Sequence, residues 1–190
     1  NLRLLSQSVR LITAFGDDMN ASKIQTSCLD LGIDVSDSLV VPGAATSSYL
    51  FITDENGEMQ LAVSDMEIYS HLTPEFLSGK LDLINRAALC VVDTNIPQET
   101  IEFLAEKATV PLFVDPVSTT KMHKLQNVLG RIHTFKPNRL EAELLTGIHI
   151  TDESSLKLAS GMLLNTGMKR VFISLGENGV FAADHSASVL

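Results

Sequence analysis

A chain of 190 residues with 45% apolar side chains fits one globular domain with room for a sizeable core. Its formal charge of −9 argues against a nucleic-acid polymer as partner, which calls for a basic surface, but not against small phosphorylated ligands, which need only a local positive site. No apolar run approaches the roughly 20 residues that span a bilayer, and no signal peptide opens the chain, so no membrane partner is expected.

The first five residues, Asn1-Leu2-Arg3-Leu4-Leu5, read as the tail of a helix. Residues 9–15 (VRLITAF) alternate as a strand and run into Gly16-Asp17-Asp18. Over residues 19–31, the spacing of Ile24, Cys28, Leu29 and Leu31 predicts an amphipathic helix closed by Gly32. Leu39-Val40-Val41 opens a β-rich insert. Its strands 47–53 (SSYLFIT) and 58–64 (EMQLAVS) are joined by Asp54-Glu55-Asn56-Gly57, and Asn-Gly between alternating runs signals a hairpin. After His71 the rhythm changes. Residues 88–93 (ALCVVD) form a short buried strand, and 97–107 a helix with Pro97 in its first turn. Residues 110–114 (VPLFV) form a strand ending at Asp115-Pro116, and 118–129 a helix ending at Gly130. Residues 131–135 are a strand, 152–166 a helix and 170–174 (RVFIS) a strand. Gly176 and Gly179 then bracket a turn into 180–183.

Short apolar strands alternating with helices predict a mostly parallel sheet covered on both faces. Ligands bind such sheets at the carboxyl ends of the strands. Asp93, Asn95, Asp115, residues 136–138 and residues 174–176 all fall there. Cys28 and Cys90 lie inside apolar segments and read as buried thiols of a reducing compartment, so a cytoplasmic location is expected. The five histidines have no metal-ligand spacing, and no serine has a nucleophile-elbow context.

Residues 131–148 (RIHTFKPNRLEAELLTGI) are the most informative stretch. Pro137 forces the helix to begin after it. Asn138 is a good N-cap, with Glu141 three residues on as in a capping box. An amide, a carboxylate and free backbone N–H groups thus meet at the positive end of a helix, which favours anions such as phosphate. As a motif alone, this is also what an ordinary helix cap looks like.

The Asn-x-x-Glu of Asn138 and Glu141 resembles the signature of the ribokinase-like family of sugar and nucleoside kinases. So do the 174–180 segment (SLGENGV) and Gly16-Asp17-Asp18, although Asn20-Ala21 replaces the usual aromatic-Gly. LAVSDM, LTPEFL, VDTNIPQE, FVDPVSTTK and IHTFKPNRLEAELLTGI resemble the pseudouridine-kinase branch of that family. The resemblance implies a ribokinase-like three-layer α/β/α sandwich with a mostly parallel central sheet and a small β lid. Residues 1–37 and 66–190 would be the kinase core, reading as cut at both ends, and 38–65 the lid over the sugar site. The implied reaction moves the γ-phosphate of ATP to the 5′-hydroxyl of pseudouridine. A ribokinase or fructokinase acting on a free sugar stays open as an alternative, as does a non-catalytic relative that binds nucleoside or ATP.

The same resemblance implies ATP and Mg²⁺ as cofactors. Asn138 and Glu141 would hold the metal and the phosphates, the metal through water, and Ser174, Gly176 and Gly179 would border the nucleotide. Asn95 lies where relatives contact a substrate hydroxyl. Asp115 either orients the crevice or caps the next helix. Thr46 and Asp65 either touch the substrate or are polar lid residues. Asp17-Asp18 resembles a metal-binding pair but suits a structural strand-to-helix turn. The family's carboxylate base sits in a Gly-Ala-Gly-Asp motif that residues 1–190 do not contain. No catalytic residue is therefore assigned, and the chain alone is expected to lack kinase activity. Exposed edges of the lid hairpin suggest a homodimer through the lid.

Overall fold

The structure is a computed structural model that describes residues 1–56 and 59–190. The chain divides into two compact units, Asn1–Phe76 and Leu77–Leu190.

In the first unit the five leading residues form turns rather than a helix. One helix-like bond runs from the Leu5 N–H to the Asn1 carbonyl, and Ser6 then turns left-handed at φ 60. The expected strand over 9–15 is two dipeptide strands, β1 (Val9–Arg10) and β2 (Ala14–Phe15). Helix α1 (Met19–Asp30), β3 (Ile33–Asp34) and β4 (Leu39–Val40) follow. Strand β1 pairs in parallel with β3, and β2 with β4. The break between β1 and β2 has a side-chain cause. The Ser38 hydroxyl donates to the Leu11 carbonyl and accepts from the Thr13 N–H, so a side chain takes the place of a ladder rung.

Helix α1 buries only Ala21, and Ile24, Leu29 and Leu31 are exposed, contrary to the face expected of an amphipathic helix. Strands β5 (Ser48–Thr53) and β6 (Met59–Asp65) form the antiparallel hairpin. Gly57 of the expected turn and Glu58 lie outside the described residues. Cross-strand partners share a face. Leu50, Ile52, Leu61 and Val63 therefore line one face, with Tyr49 and Phe51 on the other, each at least half exposed. A 3-10 helix, Glu67–His71, and α2 (Pro74–Ser78) follow.

The second unit continues through α3 (Leu81–Ile84), β7 (Cys90–Asp93), α4 (Gln98–Lys107) and β8 (Leu112–Asp115). After two 3-10 segments come β9 (Thr134–Phe135), α5 (Arg139–Thr146), α6 (Glu153–Asn165) and β10 (Arg170–Ser174). A 3-10 turn, Gly176–Asn178, leads to β11 (Val180–Asp184) and β12 (Ser188–Val189). Among the described residues these strands form one sheet in the order β12-β11-β10-β9-β8-β7. Strands β7 to β10 are mutually parallel, and β11 and β12 are antiparallel additions.

One register row, Val92, Val114, Phe135, Val171 and Ala183, crosses five strands and is buried throughout. At roughly 1.5–3 kcal/mol per buried apolar side chain larger than Ala, this row is a main source of the sheet's stability. The next row on the opposite face runs Val91, Phe113, Thr134 and Arg170, and Val91 is largely exposed there. Helix α6 lies against β10 and β11 through Leu156, Ala159, Leu163 and Leu164. The expected helix over 118–129 is instead a 3-10 helix, Thr119–Leu125, followed by a second, Leu129–Arg131. That second segment also shortens the expected strand over 131–135 to Thr134–Phe135. The second unit is α/β, with a mostly parallel sheet and helices, as the alternation of strands and helices predicts.

Candidate functional site

Because β7 to β10 are parallel neighbours, Asp93, Asp115, residues 136–138 and Ser174 lie along one carboxyl edge of the second unit. At its centre, Pro137 is followed by the start of α5. The Asn138 Oδ1 accepts from the Glu141 N–H at 2.9 Å, and the Asn138 N–H donates to Glu141 Oε2 at 2.8 Å. Both halves of the capping box are therefore made, and Gly147 ends the helix at φ 69. The Ser174 N–H donates to the Pro137 carbonyl at 2.9 Å, and Asn138 bridges to Ser174 across the sheet. Asn138, Glu141 and Ser174 are thus brought together, as expected from the sequence.

Glu141 is only 2% exposed. Burial raises its pKa; the Asp115 charge adds to the rise, while the Asn138 N–H and the Lys136 charge oppose it. Its second carboxylate oxygen and the Asn138 amide NH₂ have no protein partner among the described residues. That leftover set fits Mg²⁺, which is commonly held by one or two carboxylates together with phosphate oxygens and water. It does not fit an all-protein cage, since no group of three or more His, Cys, Asp or Glu able to hold a metal occurs among the described residues. Gly176 and Gly179 sit just beyond β10 at φ 63 and 90. The Leu175 N–H donates to the Gly179 carbonyl. The turn itself demands these glycines, and both are exposed.

Farther along the edge, Asp115 pairs with Lys136 at 3.0 Å and accepts from the Val117 N–H. It neither caps the following 3-10 helix nor touches Asn95 in the hydrogen bonds it makes. The Asn95 N–H and side-chain NH₂ donate to the two oxygens of Asp93, each at 2.8 Å. Lys121 Nζ donates to Asn95 Oδ1, and Lys124 Nζ donates to the carbonyls of Thr94 and Ile96 at 2.9 and 2.8 Å. Sequence reasoning did not single out these lysines. Their signals are a three-residue spacing after Asp115-Pro116 and, for Lys121, its place at the end of FVDPVSTTK.

In the first unit, Asp18 caps α1 by accepting from the Ala21 N–H at 2.8 Å, and it also accepts from the Thr46 N–H and hydroxyl, each at 2.8 Å. Thr46 is buried, and its hydroxyl further accepts from the Gly16 N–H. These bonds hold its side chain within the protein, so the structure gives it a local tethering role. Asp17 accepts from the Gly43 N–H, which makes the acidic pair a structural clasp between the turn after β2 and the loop after β4. Asp65 is exposed at the end of β6 and accepts from the Glu67 N–H.

A mostly parallel sheet with a capped helix start at its carboxyl edge is an architecture this chain shares with known carbohydrate kinases. The whole chain, residues 1–190, matches the pfkB family of carbohydrate kinases, and it belongs to that family. It is 39% identical over 187 residues to pseudouridine kinase of Escherichia coli strain K12, covering 98% of this chain and 60% of the relative. It is 29% identical over 178 residues to ribokinase of Staphylococcus aureus strain COL, covering 93% of this chain and 58% of that protein. Among solved structures, a carbohydrate kinase from Agrobacterium tumefaciens superposes with a TM-score of 0.82 at 25% identity, over 98% of this chain and 60% of that one. The chain therefore spans less than two thirds of the length of these relatives. No helix among the described residues is long and apolar enough to cross a membrane.

Proposed function

We propose that this chain carries the phosphate edge and the acceptor lid of an ATP-dependent kinase. Its reaction transfers the γ-phosphate of ATP to the 5′-hydroxyl of a nucleoside, and the favoured nucleoside is pseudouridine. The observation that carries the reading is the completed Asn138–Glu141 capping box on the carboxyl edge of the sheet, with one Glu141 carboxylate oxygen and the Asn138 amide NH₂ left without a protein partner among the described residues. The substrate is supported by the likeness to the E. coli pseudouridine kinase. The likeness to ribokinase supports a second reading, a free-sugar kinase.

Phosphoryl transfer is catalysed mainly by positioning and by neutralising charge. Glu141 would hold Mg²⁺ through its remaining oxygen and through water, with Asn138 beside it. When bound, the metal would neutralise charge on the phosphates. The first-turn N–H groups of α5 and the Asn138 NH₂ would orient phosphate oxygens. Ser174, Gly176 and Gly179 would border the nucleotide, and Asn95 would meet a sugar hydroxyl. No residue among 1–190 is assigned as the general base. Residues 38–65, with Asp65 at the end of the hairpin, would form the lid. A homodimer closing through that lid belongs to this reading, supported by the apolar side chains exposed on both hairpin faces. A cytoplasmic location is supported by two unpaired thiols, Cys28 and Cys90.

The test is ATP consumption by the intact natural protein with pseudouridine, uridine, ribose and fructose side by side. Preferential turnover of pseudouridine is expected. Faster turnover of ribose or fructose would move the protein to the second reading.

A further inference from the structure

The 93–96 turn after β7 is held by two lysines from one short 3-10 helix, Thr119–Leu125. In a 3-10 helix, residues three apart eclipse one another. Lys121 and Lys124 therefore leave the same side of that helix, and both ammonium groups reach the turn. Lys124 binds only backbone carbonyls there, at Thr94 and Ile96. Lys121 instead donates to the Asn95 side-chain oxygen, while the Asn95 NH₂ donates to Asp93 Oδ2 at 2.8 Å.

The chemistry of the partners fixes which end of the amide is which. An ammonium can only donate and a carboxylate can only accept. Asn95 must therefore turn its oxygen to Lys121 and its nitrogen to Asp93, and a flipped amide would lose both bonds. After these bonds, Asn95 retains one N–H and one carbonyl lone pair. A donor and an acceptor fixed side by side suit two adjacent hydroxyls of a ribosyl group, one accepting and one donating.

We propose that Lys121 is a positioning residue of the acceptor site, which with Asp93 locks the Asn95 amide in the sense that reads a vicinal diol. This rests on the reading that Asn95 meets the substrate sugar. Supporting it, burial and the neighbouring Lys121 charge both lower the Lys124 pKa, so two ammonium groups are held close together at this turn.

The experiment is a double-mutant cycle in the intact natural protein, with pseudouridine as variable substrate and saturating ATP. Lys121→Met should raise KM about tenfold, the scale of one lost charge-assisted hydrogen bond, and leave kcat within about threefold. Lys121→Arg keeps a charged donor and should stay within about threefold of wild type in KM; it carries the prediction if Lys121→Met loses its melting transition. In an Asn95→Ala background, Lys121→Met should add less than about twofold, because a residue acting only through Asn95 has nothing left to position. The same multiplicative effect in both backgrounds, an unchanged KM in Lys121→Met, or a tenfold rise in Lys121→Arg would overturn the inference while leaving the kinase reading intact. A wild-type protein that phosphorylates none of the four acceptors would overturn the kinase reading, and this inference with it.

Discussion

Replacing Glu141 by Gln should separate chemistry from stability. The amide oxygen of Gln can accept the Asn138 N–H as the carboxylate does at 2.8 Å, and Gln is an accepted partner in a capping box. The lost term is the attraction of a carboxylate to the helix start, about 0.3–1 kcal/mol when exposed and up to about 2 kcal/mol when partly buried. The gained term is relief from burying a charge, which is what raises the Glu141 pKa. The two oppose each other, so a net change within about 1 kcal/mol is expected, or about 2–4 °C in Tm for a chain of this size. The pH dependence has a definite sign. A carboxyl whose folded pKa is raised contributes its stability below the ordinary glutamate value and loses it as pH rises through the raised one. The variant should therefore gain on the wild type as pH rises through that window. Turnover should instead fall about 10–100-fold, most steeply at limiting Mg²⁺. Calorimetric melting from pH 4 to 8, paired with ATP consumption across a Mg²⁺ series, reads both. Unchanged turnover at limiting Mg²⁺ would refute the assignment, and a melting loss of 10 °C or more would show that Glu141 is mainly a structural cap.

Three further outcomes follow from the local geometry. Asp18→Asn should destabilise the first unit at neutral pH, and the gap should close in acid. The Ala21 and Thr46 hydrogen bonds hold the Asp18 pKa below its ordinary value, so its contribution is present above that value and lost as pH falls through the lowered one; a pH-independent gap in denaturant melts would contradict this. Gly16→Ala should cost about 3 kcal/mol, because its Cβ would stand 2.1 Å from the Ala44 carbonyl oxygen and 2.9 Å from the Thr46 N; a melting temperature within 2 °C of wild type would refute it. Val117→Gly should stabilise by up to about 1 kcal/mol, because Val117 sits at φ 63 in a tight turn where the Ser118 N–H reaches the Pro116 carbonyl; a lower melting temperature would show that no strain is stored there.

What the sequence revealed was local. The Asn138–Glu141 box is legible because its partners are three residues apart and Pro137 fixes where the helix begins. The strands at 90–93 and 112–115 are legible because Val91-Val92 and Phe113-Val114 are short apolar runs bounded by polar strand ends, but the expected burial of the first is not met, since only Val92 in it is buried and Val91 is exposed. The misreadings arose where distant side chains override local pattern. Residues 9–15 alternate as one strand, but Ser38 intercepts the ladder from 25 residues away at Thr13. Residues 118–129 have helical composition, yet form 3-10 turns whose lysines reach back 26 and 28 residues to Asn95 and Ile96. Thr46 reads in the sequence as either a substrate contact or a polar lid residue, and only the fold shows it buried against Asp18. Apolar spacing over 19–31 predicted the helix correctly but not its exposure, because periodicity says which side could be buried and not whether anything covers it.

The central claim, transfer of the γ-phosphate to the 5′-hydroxyl of pseudouridine, is tested most directly by identifying the product. The intact natural protein is incubated with ATP, Mg²⁺ and an equimolar mixture of pseudouridine and ribose, and the products are resolved by mass spectrometry and phosphorus NMR. The expected product is a pseudouridine monophosphate whose phosphorus couples to the two C5′ protons, formed ahead of any ribose phosphate. Phosphate found only on ribose, or on a pseudouridine hydroxyl other than the 5′, would contradict it.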